Sequence, residues 1–189
     1  MTFFSDTASS WDIRDMNLSD IRFPRQLEAD NIAETIRQAL MARTVKLWPG
    51  GHLDVSIIAM SDPLKKALQK ARLKGQIRCG FEAIFDKLEN ERKGIANVRK
   101  RQASPYGDRV SRLLLFSNDG AERLYRHIEQ LLLAHTPRLL GCLLDIDGIA
   151  LGNIIAGKDR QIKVVMAEHK EVVSEVLRGI MAGHNMSVL

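Results

Sequence analysis

The chain has 189 residues, a length that suits one domain or a small core with an added subdomain. Its hydrophobic content of 45% and charged content of 27% are ordinary for a soluble globular protein, and no apolar run reaches the roughly 20 residues that a membrane span needs. The formal net charge is +5, and the two cysteines are far apart in the chain. This composition excludes a disulfide framework and predicts a cytoplasmic protein with no signal peptide, no membrane segment and no cofactor.

Residues 1–24 mix Ser, Asp and Thr with scattered aromatic residues and show no hydrophobic period. We therefore predict an irregular N-terminal arm that docks through Trp11 or Phe23. A helix is predicted to begin at Arg25, because apolar residues recur after it at helical spacing: Ile32, Ala33, Ile36, Ala39 and Leu40.

Residues 25–101 are predicted to form a helix-rich basic region that contains one β-hairpin. The hairpin is indicated by Pro49-Gly50-Gly51, a turn signal between the β-rich runs 44–48 and 52–60.

Two further helices are predicted in this region. Ser61 and Pro63 are typical of a helix start, and this helix is expected to end at about Leu73. The next helix is indicated by apolar residues on one face, Phe81, Ile84, Phe85 and Leu88, and it continues to residue 101.

Residues 110–183, after a linker at 102–109, are predicted to form an α/β sheet unit. The order of its elements is predicted to be β-α-β-β-β-α, with helices packed on the sheet and the last helix ending at Gly183. The fold class is therefore α/β or α+β. An alternative division treats 25–183 as one compact domain.

The segment 139–158, LLGCLLDIDGIALGNIIAGK, allows three interpretations. In the first, Asp145 and Asp147 resemble the strand-borne Asp-x-Asp pair of haloacid dehalogenase-type phosphatases. One carboxylate there is the nucleophile, and the other acts as acid and base. Only 42 residues follow Asp147, however, and they contain no acidic pair at a strand end that could hold magnesium.

The second interpretation is a phosphate-binding loop, since Gly152 to Lys158 fits the Gly-x-x-x-x-Gly-Lys frame. Asp159, however, stands where Ser or Thr contacts magnesium in such loops. The third interpretation is a β-hairpin that turns at Asp147-Gly148, because Asp-Gly between apolar runs is typical of a type I′ turn. We predict the hairpin, with Gly152 and Gly157 at a bulge and at the next turn.

The positive charge is concentrated in one part of the chain. From Asp62 to Arg112, 14 Lys or Arg residues stand against 6 Asp or Glu residues. Such a cluster favours an anionic partner, with side chains that contact a phosphate backbone. The candidate binding residues are Lys65, Lys66, Lys70, Arg72, Lys74, Arg78, Lys93, Arg99, Lys100, Arg101, Arg109 and Arg112.

These patterns predict a non-enzymatic binding or regulatory protein whose basic face contacts nucleic acid or another polyanion. The first alternative is a protein–protein interaction or dimerisation module, a homo-oligomer that dimerises through its sheet or last helix. The second is a small magnesium-dependent phosphate-ester hydrolase built on Asp145 and Asp147. No catalytic residue and no metal ligand is predicted, because the five histidines show no metal-binding spacing.

Overall fold

Six strands form one mixed sheet in the order β1-β2-β5-β4-β6-β3, within residues 18–101 and 108–187, which the computed structural model describes. The pairs β2–β5 and β5–β4 are parallel, whereas β1–β2, β4–β6 and β6–β3 are antiparallel. The strands are β1 (Thr44–Lys46), β2 (Asp54–Ile58), β3 (Ile77–Cys79), β4 (Arg112–Phe116), β5 (Leu139–Leu144) and β6 (Val164–Ala167). The fold is mixed α/β, as predicted, and strands from 25–101 and from 110–183 share the sheet.

Helices cover both faces of the sheet. Five of them bury apolar side chains against one face, which we call the α3 face, and two cover the opposite α4 face. The helices of the α3 face are α1 (Arg25–Ala29), α2 (Ala33–Met41), α3 (Asp62–Leu73), α6 (Gly148–Ala156) and α7 (Lys170–Ser187). Those of the α4 face are α4 (Phe81–Arg101) and α5 (Glu122–Ala134). No helix in the described ranges is long and apolar enough to cross a membrane.

The central strand β4 shows how the two cores form. Successive side chains of a strand point to opposite faces. Leu113 and Leu115 accordingly pack in the core of the α3 face, and Leu114 and Phe116 pack in that of the α4 face. Because both faces are covered, the strand is continuously apolar from Leu113 to Phe116 rather than alternating.

The start of the chain is partly as predicted. Phe23 is buried, which confirms that the arm docks there, whereas Trp11 lies outside the described residues. The predicted single helix from Arg25 is wrong, because α1 and α2 are separated by residues 30–32. Asn31 has a φ of +56°, a left-handed conformation that a continuous helix does not allow.

The predicted hairpin of the basic region and its two helices are confirmed. β1 and β2 pair antiparallel, and the Ser61 hydroxyl accepts a hydrogen bond from the Leu64 N–H at the start of α3. α4 runs unbroken through Gly94, and its Ile84 and Leu88 are buried. The placement of Phe85 in the core is wrong, since that side chain is 44% exposed.

The predicted end of the last helix at Gly183 is also wrong, because α7 continues to Ser187. A Cβ at Gly183 would lie 2.3 Å from the Ser61 Oγ, and one at Gly179 would lie 3.0 Å from the Leu64 Cα. Residues four apart lie on the same side of a helix. The two glycines therefore allow close packing of α7 against α3 and do not terminate the helix.

The predicted hairpin at 139–158 is wrong beyond β5. Asp147 is the N-cap of α6, and its carboxylate accepts a hydrogen bond of 2.7 Å from the Ala150 N–H. Asp is a preferred residue at helix N-caps as well as in tight turns, so Asp147-Gly148 alone does not distinguish them. The order of the C-terminal elements is thus β-α-β-α-β-α, and the third predicted strand is a helix.

The two glycines of this segment have other roles than those predicted. Gly152 lies inside α6, where a Cβ would stand 1.5 Å from the Arg160 carbonyl oxygen. Gly157 is the C-cap of α6, with a left-handed φ of +67°. The Gly152–Lys158 frame therefore covers the second half of a helix and its cap, which excludes a phosphate-binding loop between a strand and a helix start.

Candidate functional site

Five cations lie along or directly after α3, which crosses one face of the sheet between β2 and β3. Leu64 and Leu68 anchor the apolar side of the helix in the core. The remaining side of α3 carries exposed cations, which we call the α3 surface: Lys65, Lys66, Lys70, Arg72 and Lys74.

The cations of α3 itself form two rows. Lys65 and Arg72 are seven residues apart, so they lie almost in line, roughly 10 Å from each other along the helix axis. Lys66 and Lys70 are one turn apart and form the second row. The second row borders α7, because Lys70 reaches Glu175 of that helix.

Glu175 is shared by two of the cations. Its carboxylate lies 3.0 Å from the Lys70 Nζ and 3.7 Å from the Lys74 Nζ. The hydrogen bond from Lys70, together with the charges of both lysines, lowers the pKa of Glu175. Lys65, Lys66 and Arg72 have no ion pair within 4 Å among the residues that the structure describes. The α3 surface therefore keeps a positive excess.

Arg160 is a further exposed cation whose charge, like that of Arg72, acts on Cys79, and sequence reasoning did not select it. Burial raises the pKa of the Cys79 thiol, and the positive charges of Arg72 and Arg160 oppose that rise. Both guanidinium groups are therefore close to Cys79, although they are 88 residues apart in the chain. Arg160 is exposed in the loop between α6 and β6, and no local sequence pattern links it to α3.

Arg78 and Arg109 of the predicted set are held by carboxylates elsewhere. Arg78 forms an ion pair with Glu168. Arg109 pairs with Glu28, at 2.5 Å, and donates a hydrogen bond to the Phe23 carbonyl. Both contacts bind the cation to neighbouring segments of the fold.

Arg112 belongs to a partly buried cluster at the start of β4. It donates a hydrogen bond of 2.9 Å to Glu91 of α4, and Arg138 lies 3.4 Å from the other oxygen of that carboxylate. Burial alone would raise the pKa of Glu91, but the hydrogen bond from Arg112 and the charges of Arg112, Arg138 and Lys87 lower it. This arrangement joins α4 to the starts of β4 and β5.

The last four predicted cations belong to α4, on the opposite face of the sheet from α3. Lys93 is exposed there. Arg99, Lys100 and Arg101 lie in the final turn of α4, and their side chains are outside the described part of the structure. The twelve predicted residues thus do not form one surface: five lie along or directly after α3, four belong to α4, and three are held in ion pairs elsewhere.

A second polar group lies at the carboxyl ends of β4 and β5. α5 follows β4 onto the α4 face, and α6 follows β5 onto the α3 face. Crevices between parallel strands whose helices diverge in this way are common ligand sites. Here the Asn118 amide donates a 3.3 Å hydrogen bond to Asp145, and Arg43 lies 3.8 Å from the same carboxylate.

The other two aspartates near this crevice are engaged in the fold. The Asp147 carboxylate caps α6, and Asp119 accepts a hydrogen bond of 2.9 Å from the Gly148 N–H and pairs with Lys163. Burial opposes ionisation of Asp119, but the hydrogen bonds from Lys163 and from the Gly148 N–H lower its pKa. Asp145 and Asp147 therefore make separate contacts: the first with Asn118 and Arg43, the second with the start of α6.

The described residues contain no group of three or more His, Cys, Asp or Glu side chains that could hold a metal ion. The chain matches no protein-family model and no curated protein. Functional assignment therefore depends on the charges and contacts of the structure itself.

Proposed function

We propose that the protein binds nucleic acid or another polyanion through the α3 surface. The observation that supports this function is the exposure of Lys65, Lys66 and Arg72 without a carboxylate partner in the described part of the chain. Cations that are already paired must first lose their carboxylate, whereas these three are free to contact phosphates.

The charge around α3 supports the same function. The α3 surface has five cations, and the carboxylates that accompany them are Asp62 of the first turn and Glu175 of α7. Arg160 adds positive charge that acts on Cys79, as does that of Arg72. Binding of this kind reads the phosphate backbone rather than the bases, so it is expected to depend weakly on sequence and strongly on salt.

The test measures binding of labelled duplex DNA and single-stranded RNA by fluorescence anisotropy between about 50 and 200 mM salt. The double variant Lys65→Gln/Arg72→Gln removes one row of the α3 surface. It should lower the slope of log affinity against log salt by about two, because each lost phosphate contact removes about one unit.

The matched control is Lys93→Gln/Arg123→Gln, which removes the same charge from exposed residues of the α4 face. It should leave the slope nearly unchanged. An equal decrease of the slope in both double variants would show that binding depends on the net charge of the protein rather than on the α3 surface. Absence of binding to DNA, RNA and heparin at about 50 mM salt would contradict the proposal.

A phosphate-ester hydrolase centred on Asp145 is the second candidate. The crevice between β4 and β5, with Asn118 beside Asp145, favours it. The sequence hypothesis also required Asp147 as a second catalytic carboxylate. In the structure, the Asp147 carboxylate instead caps α6.

Hydrolysis of para-nitrophenyl phosphate with magnesium tests this candidate. Activity that Asp145→Asn abolishes and Asp159→Asn preserves would support it, because Asp159 is an exposed carboxylate outside the crevice. Equal activity in the wild type and in Asp145→Asn would exclude it.

A further inference from the structure

Glu175 of α7 contacts two lysines of the α3 surface. Its Oε1 atom lies 3.0 Å from the Lys70 Nζ and 3.7 Å from the Lys74 Nζ. A carboxylate and a phosphodiester each carry a single negative charge, and both accept charge-assisted hydrogen bonds from lysine. The Glu175 carboxylate thus takes the place that a phosphate group of a nucleic acid could take at these two ammonium groups.

The close packing of α7 on α3 positions this carboxylate. Gly179 lies one turn after Glu175 on the same side of α7, and a Cβ there would be 3.0 Å from the Leu64 Cα of α3. Val176, the residue after Glu175, is buried in the core. The backbone of Glu175 is therefore held beside α3 by the two packed helices.

The contacts between Glu175 and the two lysines are open to solvent. The side chains of Lys70 and Lys74 are 58% and 46% exposed, and that of Glu175 is 29% exposed. Ion pairs between exposed side chains are weak in water, so a polyanion can displace the carboxylate. The hydrogen bond from Lys70 and the charges of both lysines lower the pKa of Glu175, which keeps the carboxylate ionised at neutral pH.

We propose that Glu175 competes with nucleic acid for Lys70 and Lys74 and thereby restrains binding at the α3 surface, an inference that rests on the proposed function. The three unpaired cations of this surface make the first phosphate contacts. Lys70 and Lys74 add theirs only where a phosphate displaces the carboxylate. A group of the protein that opposes binding in this way lowers the affinity of the whole site.

Fluorescence anisotropy with labelled duplex DNA at about 100 mM salt tests this competition. Glu175→Gln should tighten binding about tenfold, because Lys70 and Lys74 become available to phosphates. The slope of log affinity against log salt should steepen by about one to two units, about one for each added phosphate contact. Glutamine keeps the length of the side chain, and thermal unfolding checks that the fold is kept.

Glu171→Gln is the matched control. Glu171 lies one turn before Glu175 on α7, is exposed and has no ion pair in the described part of the chain. The variant removes the same charge without releasing a lysine, so salt screening should limit its effect on affinity to less than about twofold. An equal gain in both variants would show that net charge sets the affinity and would overturn the proposal.

A double-mutant cycle with Lys70→Gln measures the coupling between the lysine and the carboxylate. Lys70→Gln should weaken DNA binding about fivefold more in the Glu175→Gln background than in the wild type, because only there is Lys70 free of its carboxylate. The same loss in both backgrounds would overturn the proposal. Wild-type binding that Glu175→Gln leaves unchanged would overturn the competition alone, whereas absence of binding in both proteins would overturn the proposed function as well.

Discussion

The Trp48 indole N–H donates a 2.6 Å hydrogen bond to the Glu129 carboxylate, which is 95% buried on α5. The other carboxylate oxygen accepts from the backbone N–H groups of His52 and Leu53, at 2.6 and 2.7 Å. Glu129 thus fixes the loop between β1 and β2 to a helix of the α4 face. Glu129 is therefore a buried charge with three hydrogen-bond donors, and its contacts are structural.

Glu129→Gln is expected to destabilise the protein by about 2 to 3 kcal/mol. The charged acceptor becomes a neutral one, and the amide NH₂ group, which can only donate, faces N–H donors. Denaturant unfolding followed by Trp48 fluorescence in a Trp11→Phe background measures the change. Glu122→Gln, on the exposed side of the same helix, should cost no more than about 1 kcal/mol. Equal losses in the two variants would contradict the role of Glu129.

The stabilising effect of Glu129 should depend on pH. Burial opposes its ionisation, but the hydrogen bonds from Leu53, Trp48 and His52 lower its pKa below that of an unfolded chain. A lowered folded pKa gives stability that is fully present above the unfolded value, about 4.3, and is lost as the pH falls through the folded value. The difference in unfolding free energy between wild type and Glu129→Gln should therefore be constant from neutral pH to about pH 5 and shrink below it. A constant difference down to the acid transition would refute this.

Gly152→Ala and Gly94→Ala should have opposite effects, although both replace a glycine within a helix. A Cβ at Gly152 would overlap the Arg160 carbonyl oxygen, whereas nothing lies within 4 Å of a Cβ at Gly94. We expect Gly152→Ala to destabilise by about 3 kcal/mol through displacement of backbone, and Gly94→Ala to stabilise by about 0.5 to 1 kcal/mol through helix propensity. Melting temperatures compare the two. A stabilising Gly152→Ala would show that α6 does not pack on the 157–162 loop.

Glu91→Gln should destabilise by about 2 to 3 kcal/mol, since it leaves Arg112 and Arg138 partly buried without their carboxylate. Asp86→Asn is the control on the same helix, because Asp86 is exposed and has no ion pair in the described part of the chain. It should change the free energy of unfolding by less than about 0.5 kcal/mol. Urea unfolding of both variants measures the two changes, and equal changes would contradict the stabilising role of the Glu91 contacts.

Local sequence was sufficient to predict those helices and strands whose capping residues, turn residues and apolar pattern all favour the same structure. α3 has a capping Ser61, a Pro63 in its first turn and apolar residues at helical spacing, and each of these favours the same helix start and the same buried face. Residues 113–116 of β4 are continuously apolar and lie between polar residues, which is typical of a buried strand. The three-residue β3 was not predicted, since it is too short to show a period.

The segment after β5 could not be assigned locally. Asp147-Gly148 suits both a tight turn and a helix start, and the apolar run that follows has no polar face to reveal a period. What decides between them is packing, because Gly152 lets a helix lie against the Arg160 carbonyl between β5 and β6.

The number and sequence positions of the cations were likewise evident from the chain alone, and they predicted an anionic partner. Only the tertiary structure decided which of them are available. It places Glu91 beside Arg112 and Glu28 beside Arg109, and it lets the charges of Arg72 and Arg160 act on the same Cys79 thiol. Charge is a property of each residue, whereas pairing depends on which distant segments the sheet brings within a few ångströms.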